Sequence, residues 1–126
     1  MTPRNRPLSP FLQIYRLPLV AWVSITHRIT GIGMAIGLFL LTWWLGAAAG
    51  GPECYATFQS VIGSFIGRLA LFGFTVSLFY HLVNGVRHLL WDINIGFSVP
   101  QAQCSAKAML ATVAALTILS WIVALA

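Results

Sequence analysis

A chain of 126 residues with 59% hydrophobic and only 7% charged side chains has too few ionisable groups to cover a globular surface, which excludes an ordinary water-soluble domain. The net charge of +5 comes from seven Lys and Arg against two Asp and Glu. These basic residues are scattered near the ends of apolar runs rather than gathered in one patch, so a nucleic-acid partner is excluded as well.

In chain order, Met1 to Pro7 has no apolar run before a cleavage site and none of the character of a mitochondrial transit peptide, so it reads as a retained N-terminus. Leu8 to Pro18 mixes apolar and polar residues between prolines and predicts a short segment lying at the membrane interface. Residues 22–48 then predict a first membrane span. The stretch from Ile29 to Pro52 is uncharged and, at about 1.5 Å per residue, long enough to cross a hydrocarbon core of about 30 Å. Gly33 and Gly37 give the small-xxx-small spacing that lets helices approach closely. Gly46 to Tyr55 holds Gly-Ala-Ala-Ala-Gly-Gly-Pro, glycines followed by a proline that break a helix, which predicts a short turn. A second span is expected over residues 62–91 and a third, without a single charge from Ala108 onward, over 106–126. The fold class is therefore all-α, one integral membrane domain of three transmembrane helices covering residues 1–126. No internal repeat suggests an inverted-repeat transporter.

Arg4, Arg6, Arg16 and Arg28 precede the first span, whereas Glu53 is the one charge in the connection after it. The excess of basic residues predicts a cytoplasmic N-terminus and a C-terminus on the opposite side. Arg68 counts against that assignment and is expected to snorkel to the headgroups. Trp43, Trp44 and Trp91 suit aromatic belts, Asp92 a structural pairing with Arg87 or Arg16 or exposure to water, and Cys54 and Cys104 no chemistry at all.

Ionisable groups inside a membrane need a partner or a purpose. His81, Gly85 and His88 are spaced i, i+4, i+7 and share one helical face, with His81 about 10 Å deeper than His88. An imidazole at that depth must be neutral or ligated. It is either an axial heme ligand, with Gly85 leaving room for a porphyrin edge, or a histidine hydrogen-bonded to a neighbouring helix. The first span offers a matching cluster in which Ser24 and Arg28 lie one turn apart, and His27, Arg28, Arg87 and His88 together could hold carboxylates such as heme propionates. Taken singly, the same residues read as topology markers.

Arg6-Pro7-Leu8-Ser9-Pro10, Ile14-Tyr15-Arg16, the run from Ser24 to Gly31 and the run from His81 to Asp92 resemble the cytochrome b subunit that anchors succinate dehydrogenase, respiratory complex II, in the membrane. The likeness covers essentially the whole chain; Phe11 stands where many relatives carry histidine. It implies that His81 is an axial ligand of heme b iron, with the other axial histidine coming from a second small membrane subunit. His27, Arg28 and His88 would contact the propionates, and Ser24 and Arg28 would bind ubiquinone. It further implies docking to an iron–sulfur subunit and a flavoprotein subunit, in a bacterial inner membrane. A heme-free structural or channel-forming membrane protein, and the anchor of a related fumarate reductase, are the competing readings.

Overall fold

A computed structural model describes residues 14–126, which contain four α-helices and no strand. They are α1, Leu19–Ala49; α2, Pro52–Gly63; α3, Phe65–Asp92; and α4, Val99–Leu125. The motif from Arg6 to Pro10, Phe11 and most of the expected interfacial segment lie outside the described residues. α1, α3 and α4 are long and apolar enough to cross a membrane. At 31 residues, α1 is about 46 Å long, enough for the hydrocarbon core and both headgroup layers.

Helix bounds outrun the apolar windows at several ends. α1 begins at Leu19 directly after Pro18, and it continues through Gly46 to Ala49, so the break foreseen from Gly46 narrows to Gly50 and Gly51. The chain does not then turn straight into the next span. Pro52 opens the separate helix α2, where its missing N–H is no loss because first-turn amides have no helical partner anyway. α4 likewise starts at Val99 rather than near 106, with Pro100 tolerated in its first turn.

The elbow between α2 and α3 is built on Ser64. Its extended backbone ends α2, and its hydroxyl accepts the Gly67 amide at 3.1 Å to cap α3. Gly67 is required there, since a Cβ would overlap the Val61 carbonyl oxygen and lie 2.6 Å from the Ile62 Cα.

α3 packs against both α1 and α4, which also touch each other. The α1/α3 contact uses the glycines singled out by spacing. A Cβ on Gly33 would come 2.6 Å from Ser77 Oγ, and one on Gly37 would overlap the Phe74 ring. Near the N-terminal end of α1, Tyr80 is buried and its hydroxyl donates to the Val23 carbonyl at 3.0 Å. The buried apolar core is small, comprising Val23, Tyr80, Ala106, Met109 and Val113, whereas Ile36, Phe39, Leu119 and Val123 are exposed. That distribution is the one expected where lipid or a neighbouring helix, rather than water, meets the outer faces.

Arg87 departs from the role its position suggested. It is 6% exposed and turned to α4, where Nε donates to Ser105 Oγ at 2.8 Å and Nη2 to the Ala102 carbonyl at 2.8 Å. Nη1 donates to Asn84 Oδ1 at 3.1 Å, and the guanidinium carbon lies 4.0 Å from the centre of the Trp91 ring. Three of its five N–H donors are thereby engaged and its face rests on the Trp91 ring, and none of these partners is a carboxylate. Arg87 thus pins α3 to α4, and no carboxylate meets it among the described residues. Asp92 is exposed and is not its partner.

Candidate functional site

α1 and α3 run antiparallel, so the polar residues near the start of α1 meet those near the end of α3. On α1, His27 and Gly31 are one turn apart; on α3, His81 and His88 are two turns apart on one face. The interleaved result is a cluster of three imidazoles. His27 stacks on His81 with ring centres 4.0 Å apart and planes 14° from parallel, and it lies 5.4 Å from His88 at a tilt of 37°. His88 in turn meets Trp91 edge to face at 4.9 Å, which fixes its ring.

Thr30 orients the deepest of the three. Its hydroxyl is buried, donates to the His27 carbonyl at 2.8 Å, and sits 3.4 Å from His81 Nδ1, near the outer limit of a hydrogen bond. An N–H on Nδ1 pointed at that oxygen leaves the Nε2 lone pair of His81 unused, and Nε2 makes no hydrogen bond among the described residues. Gly31 lines the other side of the ring, where a Cβ would make an ordinary van der Waals contact with His81 Cε1 at 3.5 Å. A Cβ on Gly85, one turn along α3, would meet nothing within 4 Å. The flank beside His81 is therefore open.

His27 carries the clearest sign of an incomplete site. Its Nδ1 is buried without a hydrogen-bond partner, a condition that native proteins rarely leave uncompensated. A free imidazole nitrogen, an open notch and an orphaned ring nitrogen beside it fit the edge of an iron porphyrin, with His81 as ligand and His27 and His88 as neighbours.

Ser24 is half-buried and Arg28 exposed, one turn apart on the same face of α1. Neither makes a hydrogen bond or ion pair among the described residues, so a hydroxyl donor and a full cation stand free beside the imidazoles. Thus Ser24, His27, Arg28, His81 and His88 all occur at one end of the α1/α3 contact. Sequence reasoning passed over Thr30, Tyr80 and Asn84. Each is a polar group within one turn of a histidine in an apolar run, the one signal that could have marked them. Asn84 is 0% exposed, and its Nδ2 is also unpartnered.

The sequence profile described as succinate dehydrogenase/fumarate reductase transmembrane subunit matches residues 2–120. The chain is 45% identical over 119 residues, 94% of its length and 92% of the relative's, to a succinate dehydrogenase cytochrome b556 subunit of Paracoccus denitrificans. It is 35% identical over 118 residues, again 94% and 92% of the two chains, to the protein of the same name in Rickettsia felis. A mitochondrial succinate dehydrogenase cytochrome b560 subunit of Mus musculus is 37% identical over 110 residues, 86% of this chain and 65% of the relative. With three membrane-length helices and a match over nearly its full length, the chain belongs to the family of succinate dehydrogenase/fumarate reductase transmembrane subunits.

Proposed function

We propose that this chain is the heme b- and ubiquinone-binding membrane anchor of a succinate:quinone oxidoreductase in a bacterial inner membrane. The reading is carried by the imidazole cluster, in which His81 has an unused nitrogen beside an open notch and His27 Nδ1 is buried without a partner. The names of the relatives, cytochrome b556 and b560 subunits of succinate dehydrogenase, support it.

His81 would hold the heme iron through Nε2, with Thr30 steadying the ring by its other nitrogen, and a second small membrane subunit would supply a further ligand. His27, Arg28 and His88 receive the two propionates, whose charges would otherwise repel each other near the interface. When bound, the heme supplies a one-electron store beside the quinone. The Ser24 hydroxyl donates to a quinone carbonyl, and the fixed charge of Arg28 favours the negative charge that develops as quinone is reduced. Succinate is oxidised elsewhere, by a flavoprotein subunit whose electrons arrive through an iron–sulfur subunit docked on the cytoplasmic face. The N-terminus faces the cytoplasm and the C-terminus the periplasm, as the distribution of arginines favours.

Electron paramagnetic resonance of the intact complex tests the ligand. His81→Leu is expected to turn a low-spin six-coordinate heme high-spin or to empty the site, whereas His88→Leu keeps the ligation and perturbs only propionate contacts. An unaltered bis-histidine signal in His81→Leu would show that the ligand lies elsewhere.

A further inference from the structure

At the opposite end of the bundle, α2, α3 and α4 enclose a groove of about 440 Å³ that plays no part in the histidine site. Its walls include Ile62 of α2, Arg68 and Leu71 of α3, and Ser120, Trp121 and Leu125 of α4. Arg68 lies in the first turn of α3, about 4 Å from its start, and Ser120 about 7 Å in from the end of α4. The groove thus starts in the headgroup layer and descends into the apolar layer.

Its polar groups are graded in the same direction. Arg68 is exposed and makes no hydrogen bond or ion pair among the described residues. Slightly further in, Ser120 Oγ and Trp121 Nε1 also make none, although Thr42, Thr75 and Thr112 each bond back to the carbonyl four residues earlier. Trp121 is held by edge-to-face packing on Phe72 at 5.5 Å, and Leu71 and Leu125 supply apolar wall. A cation near the rim, two free donors close to it and an apolar wall that continues inward at Leu71 suit the phosphate, ester carbonyls and acyl chains of a phospholipid.

We propose that this groove binds one anionic phospholipid from the leaflet at the α2/α3 elbow, with Arg68 on the phosphate and Ser120 and Trp121 on the ester carbonyls. Charge complementarity gives Arg68 a partner at the end of the bundle where the basic residues are otherwise sparse. The lipid fills the wedge between the α2/α3 elbow and the end of α4.

Native mass spectrometry of the intact complex, exchanged into phosphatidylcholine nanodiscs carrying a minority of phosphatidylglycerol, tests this. Wild type is expected to retain a tightly held phosphatidylglycerol. Arg68→Leu and Arg68→Gln should hold it about five-fold more weakly, the worth of one arginine at an anionic interface, with the heme spectrum unchanged. Ser120→Ala should weaken retention without abolishing the preference for the anionic headgroup. Equal retention by wild type and both Arg68 variants, or equal retention of phosphatidylcholine, overturns the proposal. So would dissociation of another subunit from the Arg68 variants with lipid content unchanged, since Arg68 would then serve a protein contact.

Discussion

Ser24 and Arg28 illustrate how a residue's freedom, rather than its contacts, marks it for function. The other hydroxyls near the start of α1 are occupied, Thr26 on the Trp22 carbonyl at 2.9 Å and Thr30 on that of His27 at 2.8 Å, while Ser24 donates to nothing described. Arg28 is likewise unengaged, in contrast to Arg87, whose guanidinium makes three hydrogen bonds. Ser24→Ala and Arg28→Leu should therefore leave the fold intact and remove one quinone contact each. Quinone reduction is expected to fall roughly 10- to 100-fold, the cost of a charge-assisted hydrogen bond. Succinate oxidation with an artificial soluble acceptor should change little. Equal loss in both assays would point to failed assembly, and normal quinone turnover would remove both residues from the site. The spacing of Ser24, His27, Arg28, His81 and His88 was legible in the sequence because a helix converts i, i+4 into one face. The destination of Arg87 was not, since one more basic residue at a helix end looks the same whether it turns to a cofactor or to a neighbouring carbonyl.

Among the helices, the α1/α3 contact sets the register of the site. Gly33 against Ser77 and Gly37 against Phe74 bring the two backbones close, and the same register places Gly31 and His27 on His81. Filling that contact should separate the helices. Gly37→Leu is expected to cost about 1–3 kcal/mol of stability by overpacking against Phe74. Gly46→Leu, at a position where a Cβ meets nothing within 4 Å, should be close to neutral. Thermal denaturation of the purified complex, followed by heme absorbance, compares the two; equal stability would mean that the glycines do not determine the approach. The α2 helix shows the converse case. Its glycine and proline signals correctly marked a break after the first span, but a break says nothing about whether the chain turns at once or forms another helix. The Ser64 cap and the tight approach at Gly67 decide that locally.

For the whole molecule, the proposed orientation in the membrane rests on charge, and two free, exposed cysteines can report it. Cys54 lies near the start of α2 and Cys104 near the start of α4, at opposite ends of the bundle. In right-side-out vesicles a membrane-impermeant thiol reagent should label Cys54 and spare Cys104; the reverse pattern would overturn the orientation. By itself the sequence determined the membrane solvent, the helical class and the two polar clusters, because hydropathy and helical period are properties of consecutive residues. Only the tertiary structure decided that His27 lies flat on His81, that Arg87 is spent on α4, and that Tyr80 ties α3 to the Val23 carbonyl. Those outcomes depend on which faces of different helices meet. Among uniformly apolar helices that choice is made by close packing and hydrogen-bond satisfaction, neither of which a linear pattern records.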